Sequence, residues 1–187
     1  GLVKAFKHKL NSKDMWGNTP LHYAAYHRNK KYLEVLLQEG AKVNEKNKDG
    51  NTPLHLTCLS NNPLKDHSTK IEEFLLDNGA ELNATNDNSE TPIMFLFKIE
   101  NDRDEDVCRT KFDPIASLMI LLNRGADISK KSKTKKTALH FACIRGATIS
   151  SLTLINNQAD CDALDYSETT PYGYALKNNH EDLYIFL

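Results

Sequence analysis

Seven histidines and four cysteines are the residues of this 187-residue chain best suited to chemistry. Imidazole and thiolate are the usual zinc ligands, and together they make a nucleophile and its base. Their spacing argues against both uses. His22, His55 and His140 each stand three residues after a threonine, in "TPLH", "TPLH" and "TALH". Copies of one motif put the rings at least one structural unit apart. That is roughly 10 Å, whereas a metal–nitrogen bond is about 2 Å. Cys58 and Cys143 fall in the slot held by Ala25 in the first copy, where a thiol serves as a small hydrophobe. Cys161 shares its slot with the apolar Val43, Leu82 and Ile128. Cys108 lies in an acidic stretch, a poor setting for a thiolate. No C-x-x-C spacing occurs, so reduced thiols and an intracellular chain, cytoplasmic or nuclear, are expected. Hydrolase elbow, phosphate loop and dinucleotide fingerprint are all missing from the sequence. The residues thus predict no catalytic group, no metal site and no cofactor.

Charge is close to balanced, at a formal −1, with 40% hydrophobic and 26% charged residues. This is ordinary for a globular protein of one domain, and gives no overall pull toward nucleic acid or membrane. No stretch nears the roughly 18 apolar residues of a membrane helix. The basic start "GLVKAFKHKLNSKD" has no apolar core, so it is not a secretory signal. Two charge runs stand out: "NDRDED" (101–106) and "SKKSKTKK" (129–136). Both read first as solvated loops. The second, with Lys130, Lys131, Lys133, Lys135 and Lys136, also suits an acidic partner or a nuclear-import signal. Nucleic-acid binding is not expected: arginines are few, and no stacking platform sits beside the lysines.

The elements that carry these residues follow from an internal repeat. "GNTPLH" occurs at Gly17 and again at Gly50, 33 residues on, and the motif threonines Thr137 and Thr170 are 33 apart as well. "ETPIMFLF" lies between, with Thr91 39 residues after Thr52 and 46 before Thr137. This makes five units, with extra residues in the second near 61–70 and in the third near 99–114. A second signature recurs in register: "LLQEGAKVN", "LLDNGAELN", "LLNRGADIS" and "LINNQADCD". Thr19, Thr52, Thr91 and Thr170 precede Pro20, Pro53, Pro92 and Pro171. Threonine can cap a helix, and proline suits its first turn, where the missing N–H has no partner anyway. Gly40, Gly79 and Gly125 suit a left-handed helix end. Each unit therefore reads as two short helices and a turn, too small to bury an apolar face alone.

Period and motif together resemble the ankyrin repeat over nearly the whole chain, from about Asp14 to Leu187. The resemblance implies an all-α solenoid of stacked helix–turn–helix units with β-hairpin-like turn tips. The units are assigned as 14–46, 47–85, 86–131, 132–164 and an incomplete 165–187. Residues 1–13 are assigned as the remnant of an N-terminal cap or a preceding unit. Thr19, Thr52, Thr91, Thr137 and Thr170, the four prolines, and His22, His55 and His140 are implied to be structural. In the family the histidine is buried and bonds to the turn of a neighbouring unit. Several positions depart from the pattern. Ser89, Lys135 and Gln158 replace glycine, Met94 replaces histidine, and Tyr172-Gly173 replaces Leu-His. Ser150 and Ser151 stand at usually apolar positions. Looser packing is expected in the last two units. The apolar ending "DLYIFL" leads us to expect a longer natural protein.

The family's variable positions line a concave face, from the turn tips and the exposed side of each first helix. Carried over slot by slot, they give Met15, Trp16, Asn18, Tyr26 and His27 in the first unit. The second gives Lys48, Asp49, Asn51, Leu59 and Ser60. The third gives Asp87, Asn88, Glu90 and Lys98. The fourth gives Lys133, Thr134, Lys136, Ile144 and Arg145. The fifth gives Tyr166, Ser167 and Lys177. The first unit is aromatic, the middle acidic and polar, the fourth basic. Aromatic residues are enriched at interfaces, which favours Trp16 as an anchor over packing against its own neighbours. The function implied is a non-catalytic scaffold, monomeric as a fragment, that binds a protein or peptide on the concave face. Three alternatives stand beside it. The chain could be the repeat segment of a larger protein whose activity lies elsewhere. It could be a host-modulating protein of a pathogen or virus, as the 19 lysines and 18 asparagines suggest. It could also read acidic partners through residues 130–136.

Overall fold

The structure, a computed structural model, describes residues 9–59, 71–98 and 113–184. They form ten helices and no strand. In chain order these are α1 Pro20–Tyr26, α2 Lys30–Gln38, α3 Pro53–Leu59, α4 Ile71–Asp77 and α5 Pro92–Phe95, followed by α6 Ile115–Asn123, α7 Ala138–Arg145, α8 Thr148–Asn156, α9 Pro171–Lys177 and α10 Glu181–Tyr184. Odd-numbered helices stack on one another and even-numbered helices back them. Two separate layers of short helices result, with the turn tips along one edge. Ser60, Cys108, the 101–106 acidic run, residues 1–8 and nearly all of both inserts lie outside the described residues.

The start of each first helix shows how the motif works. Thr19 is extended, and its N–H donates to His22 Nδ1 at 3.1 Å. His22 Nε2 lies 3.0 Å from the carbonyl of Asn51 in the next unit. A carbonyl only accepts, so the proton sits on Nε2 and Nδ1 is the acceptor. His55 makes the same bridge to the Glu90 carbonyl at 3.1 Å, and His140 to the Thr169 carbonyl at 3.2 Å. Burial lowers all three imidazoles, His55 to about 4, so they stay neutral. Each ring joins two units. Met94 cannot do this, and in its unit the buried Thr91 Oγ1 has no partner among the described residues. Gly173 also lacks the ring, but its backbone N–H donates to Thr170 Oγ1 at 3.1 Å.

The tips are hairpin-like turns closed by side chains rather than strands. Asp14 Oδ1 accepts from the Trp16 and Asn18 N–H groups at 2.9 and 2.8 Å. Asn47, Asn86 and Asp165 repeat this arrangement. One backbone bond then joins each tip to the next: Lys48 to Trp16, Asp87 to Asp49, Lys133 to Asn88 and Tyr166 to Thr134, at 3.0, 3.0, 2.8 and 3.1 Å. Ser89, Lys135 and Gln158 keep the left-handed backbone of the glycines they replace, with φ of 57°, 61° and 68°.

The core divides in two. One cluster runs from Leu10 through Leu33 and Leu36 to Leu75. The other runs from Cys58 through Ile93, Leu118 and Leu139 to Leu183. Leu76 packs against both. A buried polar bridge stands at this seam. Arg28 Nη1 and Nη2 donate to Glu72 Oε1 and Oε2 at 2.7 and 3.0 Å, and Ser117 Oγ donates to Glu72 Oε1 at 2.7 Å. It spans three units, and Glu72 is only 1% exposed. The expectation of looser packing does not hold at α8. Leu154, Ser150 and Ser151 are fully buried, and Asp113 accepts from both the N–H and the hydroxyl of Ser150. A carboxylate brought from the preceding unit satisfies the polar side chain there.

Candidate protein-interaction surface

The tip row and the adjoining ends of the odd-numbered helices hold the expected surface residues. Met15, Trp16 and Tyr166 are 70%, 59% and 67% exposed, far more than residues of their size would be in a core. His27, Lys48, Asp49, Asp87, Asn88, Lys133, Thr134, Ser167 and Lys177 are exposed as well.

Two of the expected surface residues are instead inside. Asn51 is 8% exposed, and its Oδ1 accepts from Asn86 Nδ2 at 2.9 Å. Glu90 is 6% exposed and binds Lys98 Nζ at 3.0 and 2.9 Å, while Lys98 also lies 4.7 Å over the Phe95 ring. Their place at a tip predicts an outward direction for both. Both turn inward because one amide and one carboxylate complete a hydrogen-bonded chain between units.

Others are half-buried. Lys136 Nζ donates to Asp165 Oδ2 at 2.6 Å and lies 5.0 Å over the Tyr174 ring, and the Tyr174 hydroxyl donates to the same oxygen at 2.7 Å. These bonds, with two backbone N–H donors, hold the Asp165 carboxyl well below the usual carboxylate range against the opposing effect of burial. Arg145 Nη1 donates to the Lys98 carbonyl at 3.3 Å. Asn18 Oδ1 accepts from Asn47 Nδ2 at 2.9 Å. Ile144 and Leu59 are half-buried too, Leu59 against the core.

The lysine run is therefore less available than its sequence implies. Lys130 faces Asp127 at 4.0 Å, Lys135 lies 4.9 Å over the Tyr166 ring, and Lys136 is tied to Asp165. Lys131 and Lys133 have no such partner among the described residues.

The structure gathers the first-unit aromatics with parts of the second unit around one hollow of about 310 Å³. Trp16, Tyr23, Tyr26, Leu56 and Leu59 form its apolar wall, and among the described residues Asp49 is its only charged lining residue. The amides of Asn18, Asn47 and Asn51 complete it. Tyr26 meets His27 edge-on at 5.0 Å. Tyr23 and Leu56 were not among the expected residues. They occupy the variable position of T-P-L-H-x-A, one unit apart, and this shared slot is the signal that marks them. Tyr23 is held by its hydroxyl, which donates to Asp14 Oδ2 at 2.5 Å.

Arg28 and Glu72 were missed too. Counted back from the leucine pairs, Glu72 falls in the slot of Leu33 and Leu118. A charge in an apolar slot is the legible sign of a buried pair.

Among the described residues, none of the three thiols is a ready nucleophile. Burial pushes Cys143 up to about 12, and raises Cys58 and Cys161 as well. Among the described residues no three His, Cys, Asp or Glu side chains are placed to hold a metal ion, and no helix is long and apolar enough to cross a membrane.

A family model described as ankyrin repeats (three copies) matches residues 1–86 and 107–187. The stacked helix pairs, with no strand among the described residues, agree with it. Ankyrin repeats are generally protein–protein interaction modules and typically non-catalytic. The chain belongs to the ankyrin repeat family.

Proposed function

We propose that this chain is a scaffold that binds a protein or peptide on its concave face, with the aromatic first unit as the main anchor. The observation that carries the reading is the exposure of Trp16 beside Tyr26 at an apolar hollow, in slots where the fold itself makes no demand. Large apolar side chains left at the surface as a group mark interaction sites, and tryptophan and tyrosine dominate binding hot spots. The tip-to-tip backbone bonds hold Trp16 and Asp49 in fixed relation, so the hollow is formed before a partner arrives. Catalysis by this chain is not part of the reading, because burial raises the thiols of Cys58, Cys143 and Cys161, and the ring nitrogens of His55 and His140, one turn before Cys58 and Cys143, are already engaged by the fold.

The test compares native-extract capture by the wild type and by Trp16→Ala and Tyr26→Ala. Trp16 is exposed and outside the core, where substitutions change stability by about 0.5 kcal/mol or less, so Trp16→Ala should melt near the wild type, and the half-buried Tyr26→Ala slightly below it. Partner recovery should fall in both. Loss of several degrees in Tm without a binding defect would assign these residues to the fold instead.

A further inference from the structure

We infer that the partner inserts an arginine side chain, with an apolar neighbour, into the hollow of the first two units. The inference rests on the concave-face reading and names the chemistry of its ligand.

The walls supply rings and leucines, which favour a long apolar stem. The carboxylate of Asp49 is exposed, and no ion pair or hydrogen bond holds it among the described residues. Most of the asparagine amide capacity here is turned inward, since Asn47 Oδ1 accepts two backbone N–H groups, its Nδ2 bonds Asn18, and Asn51 accepts from Asn86. What remains for a ligand among the described residues is a π face at Trp16, apolar walls and one negative charge. An amphipathic cation meets all three. Its stem lies on Leu56 and Leu59, and its head reaches Asp49 across Trp16. Arginine suits this better than lysine, because the planar guanidinium stacks on an indole while its fork pairs with a carboxylate. Lys48 belongs to the same tip but does not line the hollow, and neither does His27. An anionic ligand would meet Asp49 as a like charge.

A random peptide library displayed on phage, selected on the 187-residue chain, tests this. Enriched peptides should carry an arginine within two positions of an apolar residue. A synthetic copy should change the emission of Trp16, the sole tryptophan. Trp16→Ala should weaken binding about tenfold or more, as a hot-spot truncation does. Asp49→Asn should weaken it about three- to fivefold, the size of a partly exposed ion pair. Enriched peptides without a basic residue, affinity unchanged by Asp49→Asn, or no enrichment that depends on Trp16 would overturn the inference. Acidic peptides lost on Lys133→Glu would also overturn it, while leaving concave-face binding in place. Peptides indifferent to Trp16→Ala and Tyr26→Ala but lost on Val35→Asp, on the second-layer helix α2, would overturn the concave-face reading itself.

Discussion

Arg28 and Gly146 stand at the same place in two units, the residue that ends a first helix and turns the chain toward the second. Their backbones agree: φ is 52° at Arg28 and 75° at Gly146, and each N–H returns to the carbonyl three residues back. The space beside each backbone is filled in opposite ways. Arginine in this left-handed region costs on the order of 1–2 kcal/mol that glycine does not. At the first joint the cost is met by sending the guanidinium inward to Glu72, across to the second unit. At the fourth joint the space beside Gly146 is filled from outside. His180 of the next unit sits where a Cβ would come within 2.6 Å of Nδ1, and its Nε2 donates to the Ile144 carbonyl at 3.0 Å. One turn geometry thus supports a buried ion pair at one end of the stack and a ring packed on bare backbone at the other. The fold fixes the backbone at this position and leaves the means of joining units to local side chains.

The largest effect should come from breaking the first joint. Glu72→Ala leaves Arg28 charged and buried, which should cost about 3–5 kcal/mol in urea unfolding. Replacing both partners, Arg28→Met with Glu72→Leu, should bring stability back to within about 1–2 kcal/mol of the wild type or above it. Equal losses in the single and double variants would mean that the pair is not what joins the units.

Acid should act next most strongly, and on the same half. His55 is held at about 4 against an ordinary 6.5. Between those values the unfolded chain takes up a proton that the folded chain does not. Stability from this residue is whole above about pH 6.5 and falls as pH drops toward 4, by roughly 2–4 kcal/mol. His22 and His140 shift in the same direction and add to the slope. His55→Met, which copies Met94 of the third unit, should flatten the profile. An unchanged profile would place the acid sensitivity elsewhere.

A smaller loss is expected at the fourth joint. Gly146→Ala adds a Cβ against the His180 ring in a left-handed backbone, at a cost of about 1–2 kcal/mol. A neutral result would show that His180 moves aside freely and does not seal this joint. The smallest effect should be a gain. Gln158 is left-handed at φ 68°, in the slot where a Cβ at Gly40, Gly79 or Gly125 would meet nothing within 4 Å. Gln158→Gly should therefore raise stability by about 0.5–1 kcal/mol through relief of strain alone. Thermal melts resolve both changes.

Much of the fold could be read from the chain because the motif acts over short distances. Thr19, Pro20 and His22 lie within four residues, and their bonds to one another need no distant partner to be foreseen. Trp16 and Met15 were legible for a related reason, since a large side chain in a tip slot has no core nearby to enter. Asn51 and Glu90 were not legible. Whether a tip amide or carboxylate faces outward depends on Asn86 and Lys98, 35 and 8 residues away, reaching it first. The hollow was half legible. Trp16 and Tyr26 were expected there, but Tyr23, Leu56 and the position of Asp49 beside the indole follow from how two units stack.

By itself, then, the sequence determined the repeat, the helix starts, the left-handed turns and the absence of metal-ligand or nucleophile spacing, because each depends on residue type and short spacing. Only the tertiary structure decided which polar groups were satisfied inside and which were left for a partner. Arg28 and Glu72 are 44 residues apart, and Ser117 is another 45 beyond. Their bridge exists because stacking brings distant side chains into one desolvated space, where a charge must find its opposite, whereas the Asp49 carboxylate beside Trp16 stays at the surface.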